Sequence, residues 1–341
     1  MEWPFILSKL ASSTDLTRSE ARQAMAEVMA GTTTPAQIAA FIVALRMKGE
    51  SVEEMTGLVE AIRAVAVSVE VDDPGLVDVV GTGGDGSGTF NISTTASLIA
   101  AGAGARVAKH GNRSVSSRCG SADVLEALGV RIDLPPSANV RLLAETGFAF
   151  FFAPHYHPSF RHAGPVRREL GIPTVFNFLG PLANPAGTRR QAIGVSDPRM
   201  AERVIGVLAR LDSVYSFVFH GEDGLDEITT AGPTYIYRLR DGEVTHAEFT
   251  PEDFGIRRSS LGELKGGDAA ENASIIRQIL AGEPGPRRDA ALINAAPALV
   301  AAGLAPGFVE AVDLARNSID SGAAAALLGR VVDRSTELAK A

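Results

Sequence analysis

A short apolar run, Leu76 to Val80, opens directly into Gly81-Thr82-Gly83-Gly84-Asp85-Gly86, and a helical stretch resumes at Thr94. Strand, glycine turn and helix in that order form the building unit of a parallel sheet, and few segments restrict a fold as strongly. The neighbouring chemistry is equally selective. Thr89-Phe90-Asn91-Ile92-Ser93-Thr94 follows the turn, and Lys109-His110-Gly111-Asn112-Arg113-Ser114-Val115-Ser116-Ser117 follows the next β-rich run. Closely spaced glycines let backbone N–H groups approach an anion, hydroxyls and an amide add neutral donors, and Lys109 and Arg113 add positive charge. Together these groups suit a phosphorylated sugar.

The alternation continues along the chain. Leu76 to Val80, Ala105 to Ala108, Phe148 to Ala153, Gln191 to Val195 and Val214 to Phe219 have strand character. Thr94 to Ala103, Ala122 to Leu128, Ala138 to Glu145 and Arg199 to Leu211 have helical character. A largely parallel sheet covered by helices is therefore expected. Tyr235 to Leu239, Asp241-Gly242 and Val244 to Phe249 add a β-hairpin, because Asp-Gly suits a two-residue turn. The first seventy residues differ. Thr17 with Glu20, Thr34 with Gln37 and Ser51 with Glu54 are capping boxes, Pro35 stands at a first helical position, and Gly31 and Gly49 are stops, so three short helices are predicted. At 341 residues the chain suits two units, a helical domain over residues 1–72 and an α/β domain over residues 73–341.

Composition removes several classes of function. A formal charge of −8 speaks against a nucleic-acid surface. One cysteine, Cys119, excludes an internal disulfide framework and reads as a small packed side chain. Met1-Glu2-Trp3-Pro4 lacks the features of a signal peptide, so an unprocessed cytoplasmic protein is expected. Ala290 to Val309 is uncharged but alanine-rich and broken by Pro297, Gly303, Pro306 and Gly307, which suits two buried helices rather than a membrane span.

In an open parallel sheet the loops after the strands share one edge, where ligands collect. Gly81 to Gly86, Lys109 to Arg113, His155 to His157 and His220 to Glu227 all occupy such positions. Gly81, Gly83 and Gly86 match the dinucleotide pattern, yet no Asp or Glu lies between Asp85 and Asp123 to bind ribose hydroxyls, and no Lys-Ser or Lys-Thr completes a Walker loop. Asp226-Glu227 is a candidate hard-cation site, able to share Mg²⁺ with phosphate oxygens and water. Arg167, just inside a helix starting near Pro165, can grip a carboxylate with two hydrogen bonds.

Taken in order, several motifs carry a resemblance. Gly81 to Asp85, Asn91 to Thr94, Lys109 to Arg113 with Ser116-Ser117, Gly120 to Glu126, Pro165 to Gly171, Phe176 to Pro185 and Asp223 to Glu227 resemble the anthranilate phosphoribosyltransferase family of tryptophan biosynthesis. The resemblance spans the chain from the helical start to the final helices; Cys119 and Phe178 are local variants not expected to change activity. It implies a nucleoside phosphorylase/phosphoribosyltransferase-like fold, in which a segment near residues 160–185 joins the small helical domain. It also implies a homodimer formed through that domain. The implied substrates are phosphoribosyl pyrophosphate (PRPP) and anthranilate, with two Mg²⁺ ions per active site. Gly81, Gly84, Asp85, Thr89, Asn91, Ile92, Ser93, Thr94, Lys109, His110, Gly111, Asn112, Arg113, Ser114, Val115, Ser116, Ser117 and Ser121 would line the PRPP site. Ser93 and Glu227 would hold one Mg²⁺, Asp226 and Glu227 the other; Gly81, Asn112 and Arg167 would contact anthranilate.

The residue types suit such a reaction, since the difficult event is charge separation at the anomeric carbon as pyrophosphate leaves. Electrostatic stabilisation by Lys109, backbone N–H groups and Mg²⁺ answers it, and no side chain is needed as catalytic acid or base. The aromatic amine is uncharged at neutral pH, so neither His110 nor His155 is required as a base; His155-Tyr156-His157 receives no role. Two rivals remain at this stage. A pyrimidine nucleoside phosphorylase uses phosphate as acceptor and has no need of Asp226-Glu227, while a non-catalytic nucleic-acid-binding relative should be basic.

Overall fold

Three of the N-terminal helices begin as reciprocal caps. Thr17, Thr34 and Ser51 each accept a hydrogen bond from the backbone three residues on (3.2, 3.3 and 3.2 Å), and the Glu20, Gln37 and Glu54 side chains accept one from the cap residue's own N–H (2.7, 3.1 and 2.8 Å). The computed structural model, which describes residues 2–114 and 118–340, places these helices at Arg18–Ala30, Pro35–Lys48 and Val52–Ala64. It adds a fourth, Trp3–Ala11, which has Pro4 in its first turn but no side-chain cap and no capping box.

Behind this layer stands one seven-stranded sheet of order β3-β2-β1-β4-β5-β6-β7. The strands are β1 Val77–Gly81, β2 Val107–Gly111, β3 Phe148–Phe152, β4 Arg190–Gly194, β5 Tyr215–Gly221, β6 Thr234–Arg240 and β7 Glu243–Phe249. The first five pair in parallel, with Val79 opposite Ala192 and Lys109 opposite Phe150. β6 and β7 form the expected hairpin; Asp241 and Gly242 both have positive φ (52° and 83°), as the tight turn requires.

Side chains alternate across a strand, and here the alternation divides the core in two. Val79, Ala192, Phe217 and Phe219 pack on one side with the helices Ile92–Gly102, Pro286–Ala301 and Ala323–Leu338. Val80, Ile193 and Val218 pack on the other with the helix Pro198–Arg210 and the N-terminal helices. This second core also takes in Ala163, Val166, Val175, Phe176, Phe178, Leu179, Leu182 and Ala183. The uncharged stretch resolves into a helix ending at Ala301, which continues through Pro297, and a second starting at Phe308. No helix among the described residues is long and apolar enough to cross a membrane.

The N-terminal layer depends on one close approach. A Cβ at Gly57 would lie 2.2 Å from the Arg18 carbonyl oxygen and 2.9 Å from the Arg22 nitrogen, so the helices Arg18–Ala30 and Val52–Ala64 meet backbone to backbone. Gly57→Ala is expected to destabilise the protein by about 1–3 kcal/mol, as overpacking does. Urea unfolding checks this: a lowered midpoint is expected, and an unchanged one would show that the helices separate without cost.

Candidate active site

β1, β2, β4 and β5 all end in glycine: Gly81, Gly111, Gly194 and Gly221. β1 lies between β2 and β4, where the strand order reverses, and the crevice beyond such a point is the usual ligand position in an open α/β sheet. Gly83, Gly84, Gly86 and Gly88 follow with φ between 64° and 80°. A side chain would strain each of them. Thr82 donates its N–H to the Gly194 carbonyl (2.9 Å) and Ser196 its hydroxyl to the Gly83 carbonyl (3.0 Å), tethering the glycine turn to the end of β4.

The Asp226-Glu227 pair lies directly on this platform. A Cβ at Gly81 would come within 2.3 Å of Asp226 Oδ2, and one at Gly194 within 1.7 Å of the Asp226 carbonyl oxygen. Gly83 donates its N–H to Asp226 Oδ2 (2.6 Å). Ser93, at the start of the helix Ile92–Gly102, donates its N–H to Glu227 Oε1 (3.0 Å), placing that carboxylate at the positive end of the helix dipole. The sequence pattern singles out Gly81 but not Gly194, because nothing local in the residues around Gly194 announces what will cross it.

Burial then sets the electrostatics. Asp226, Glu227, Asp78 and Lys109 are all buried. Desolvation, followed by the charge of Asp85, pushes Asp226 up to about 7, and desolvation with the charge of Asp226 raises Glu227 well above the carboxylate range. Asp78 is raised to about 6 by burial, opposed by an Asn184 hydrogen bond (2.8 Å) and by Lys109. Lys109 donates from Nζ to the Val79 carbonyl (2.5 Å); burial lowers its pKa, while Asp78, Glu227 and Asp226 oppose that shift. When ionised, three buried carboxylates face one ammonium, a deficit that a divalent cation would offset. The donor chemistry fits a hard cation, which prefers one or two carboxylates with phosphate oxygens and water. Among the described residues no three His, Cys, Asp or Glu side chains are grouped to hold an ion, so phosphate and water would have to complete the coordination.

The other expected residues are distributed around this centre. Asp85 accepts from the Ser87 N–H (3.1 Å) and hydroxyl (2.7 Å), and Ser87 lies 3.3 Å from the Thr89 hydroxyl. Ile92 and Thr94 are buried in the first turn of the helix, and the Thr94 hydroxyl has no partner. Gly111 ends β2, and a Cβ there would meet the Ser121 hydroxyl at 2.4 Å. Ser121 itself donates to the Asn112 carbonyl (3.2 Å), and Ser114 donates its N–H to Asp123 (3.3 Å). Arg113 is held by Asp123 (2.8 Å) and Glu126 (2.5 Å), with Phe152 beneath its guanidinium, so any phosphate contact must compete with two carboxylates. Val115, Ser116 and Ser117 lie outside the described residues.

Arg167 comes from the helix Gly164–Leu170, lies 5.1 Å from the Phe176 ring centre and has no ion pair among the described residues; burial lowers its pKa. A half-buried guanidinium without a carboxylate is suited to receive one. His110 and His157 are neighbours, with ring centres 5.1 Å apart, and burial lowers them to about 3 and about 4. Both are neutral near pH 7, which removes them as proton donors there. His155 is exposed against the edge of Phe152, and Cys119 is buried with its thiol pKa raised by desolvation.

Two glycosyl transferase domain types account for this architecture. Residues 5–66 match the helical bundle domain of the glycosyl transferase family, and residues 73–325 match its a/b domain. Among curated relatives, the anthranilate phosphoribosyltransferase of Moorella thermoacetica is 55% identical over 326 residues, covering 96% of each chain. That of Arthrobacter sp. is 53% identical over 97% of this chain and 95% of its own. The crystal structure of the Thermus thermophilus anthranilate phosphoribosyltransferase superposes with a TM-score of 0.92 at 42% identity, covering 97% of this chain and 99% of that one. The Saccharomyces cerevisiae enzyme in complex with PRPP and Mg gives 0.90 at 27% identity, over 98% of both. The chain belongs to the anthranilate phosphoribosyltransferase family.

The histidine pair gives a pH-dependent stability of definite sign. Both folded values lie below the ordinary 6.5, so the unfolded chain takes up protons first. Their contribution is complete above about pH 6.5 and is lost as the pH falls towards 4, whereas Asp78, shifted upward, loses its contribution as the pH rises from 3.8 to about 6. Because these effects oppose one another, the difference between wild type and His157→Gln isolates one of them. It should move in the variant's favour by up to ~1.4 kcal/mol per pH unit on acidification below pH ~6. Parallel urea-stability curves across that range would mean that His157 is already protonated in the folded protein.

Proposed function

We infer that the chain transfers the phosphoribosyl group of PRPP to the amine of anthranilate, giving N-(5-phosphoribosyl)anthranilate and pyrophosphate in tryptophan biosynthesis. The observation that carries the reading is the Asp226-Glu227 pair, buried on Gly81 and Gly194 and offset only in part by Lys109. A nucleoside phosphorylase has no use for such a pair, and the relatives described above carry the transferase name. The acidic net charge of −8 disfavours the nucleic-acid-binding alternative.

In this reading N–H groups of the glycine turn beyond Gly83, together with the Thr94 N–H at the start of the helix Ile92–Gly102, receive phosphate oxygens, as helix N-termini do. Ser93 with Glu227 would hold one Mg²⁺ and Asp226 with Glu227 a second; bound there, the metal supplies neutralisation of the leaving diphosphate. Lys109 acts from below as a positive charge that opposes the upward shift burial imposes on Glu227. Arg167 and Asn112 would orient anthranilate through its carboxylate, with Gly81 as a further contact. Its neutral amine carries the attacking lone pair, so no side chain has to remove a proton beforehand. Stabilisation of the departing charge by one fixed donor is worth about 3 kcal/mol of barrier.

The domain division at residues 72 and 73, with residues 160–185 joined to the helical part, belongs to the same proposal. So do a cytoplasmic location and a homodimer through the helical layer. Exposed Phe5 and Met47, on the helices Trp3–Ala11 and Pro35–Lys48, support the last of these.

Mixing the purified protein with PRPP, Mg²⁺ and anthranilate should quench anthranilate fluorescence, and omission of any component should stop it. Asp226→Asn combined with Glu227→Gln should lower turnover by at least ~10³-fold while leaving the unfolding midpoint unchanged or raised, since buried charge is removed. Near-normal turnover in that double variant would remove the metal role. Arg167→Ala should raise the KM for anthranilate about 10- to 100-fold, the value of one charge-assisted hydrogen bond, and leave that for PRPP nearly constant. Equal effects on the two constants would assign Arg167 to structure.

A further inference from the structure

Two asparagines far from any recognised motif reach the site from the helices behind the sheet. Asn272, on the helix Ala269–Leu280, is buried and uses its whole amide: Oδ1 accepts from the Gly267 N–H (2.8 Å) and Nδ2 donates to Asn91 Oδ1 (2.9 Å). Asn91 then donates from its own Nδ2 to the Cys119 carbonyl (3.2 Å). These bonds tie together the stretch before the helix Ile92–Gly102, the loop after β2 and the segment Leu264–Gly267. That segment is also paired with the glycine turn: Phe90 donates its N–H to the Leu264 carbonyl and Gly266 to the Gly88 carbonyl, each at 3.0 Å.

The consequence lies in what Asn91 does not do. It occupies the N-cap position of the helix Ile92–Gly102, where an asparagine side chain ordinarily accepts from the second or third N–H, yet it makes no such bond. Its acceptor oxygen is turned to Asn272 instead. The helix start is thereby left uncapped by its own residue, with Ser93 N–H directed to Glu227.

Asn294, on the helix Pro286–Ala301, performs a different task. Its Oδ1 accepts from the Ile228 N–H (2.8 Å), and its Nδ2 donates to the Ile228 carbonyl (2.9 Å) and to the Ala290 carbonyl (2.9 Å). One buried amide thus grips both backbone groups of the residue following Glu227, as a neighbouring strand would. Because Ile228 directly follows Glu227, this clamp fixes the C-terminal side of the acidic pair.

We propose that Asn272 and Asn294 are separate positioning residues for the phosphoribosyl transfer: Asn272 keeps the Asn91 side chain off the helix start where PRPP phosphate is received, and Asn294 fixes Glu227 for the metal. The proposal rests on the reading of the site given above. The two roles predict different losses, which a general packing role would not. Asn272→Leu, nearly isosteric, should raise the KM and Kd for PRPP about tenfold, leaving the half-activating Mg²⁺ concentration at saturating PRPP within about twofold. Asn294→Leu should raise the half-activating Mg²⁺ concentration about tenfold, and weaken Mn²⁺ binding in the presence of pyrophosphate, followed by electron paramagnetic resonance, to a similar degree. Its KM for PRPP at saturating Mg²⁺ should change little. Neither should alter the KM for anthranilate beyond about twofold.

Circular dichroism and the unfolding midpoint establish that each variant is folded. If a leucine variant is not, Asn272→Ala and Asn294→Ala remove the same amide bonds without adding bulk or charge and carry the same expectation. Shifts of the same constants by the same factor in both variants, or no shift in either, would overturn the proposal. Inactivity of the wild-type protein would instead defeat the transferase reading, and PRPP calorimetry with the Mn²⁺ titration still tests the two asparagines without turnover.

Discussion

Asp226 lies against the ends of β1 and β4, its carboxylate over Gly81 and its carbonyl over Gly194, closer than residues with side chains would permit. With a Cβ on Gly194 the loop carrying the acidic pair would have to rise, since the Asp226 carbonyl oxygen would be 1.7 Å away; one on Gly81 would displace the Asp226 carboxylate, whose Oδ2 would be 2.3 Å away. This steric condition places two carboxylates inside the sheet edge rather than above it, and the rest of the electrostatics follows from that depth. Burial raises both pKa values; a surface pair of the same residues would remain ionised and solvated, with little effect on anything bound nearby.

A buried acidic pair is costly unless something compensates, and the fold compensates only partly. Backbone N–H groups of Gly83 and Ser93 stabilise the ionised forms, Lys109 adds one positive charge from beneath β1, and Asp78 competes for that same charge. The remaining deficit is what a divalent cation and substrate are proposed to offset. Pre-organised charge of this kind acts where charge develops in a reaction, and its cost is carried by packing elsewhere. Here that packing is the extensive core between the sheet and the C-terminal helices.

Local chemistry is legible in the chain, and non-local contact is not. Capping boxes, glycine turns and the Asp241-Gly242 hairpin are decided within a few residues, so their positions can be read directly, and the structure places them there. The helix Trp3–Ala11 escapes because its start has no capping side chain. Lys109 is recognisable as a site residue, but its depth is not; only the pairing of β1 with β2 puts its Nζ on the Val79 carbonyl. Asn272 and Asn294 leave no sequence signal at all, since each works 66 or more residues from its partner and resembles any other buried amide in a helix. Gly194 is similar. Its glycine is required by a loop that arrives some thirty positions later and cannot be inferred from its neighbours.

The two cores also separate the proposed tasks. Ile92, Ala96 and Ile99, in the helix that follows the glycine turn, pack into the core shared with the C-terminal helices. Val166, adjacent to Arg167, packs into the other core with the N-terminal helices. A disturbance of the helical layer therefore reaches the guanidinium proposed to hold anthranilate within one core, but reaches the helix proposed to receive phosphate only across the sheet. Packed interiors shift as units rather than deform continuously, so loosening at Gly57 should be felt at the acceptor side before the donor side.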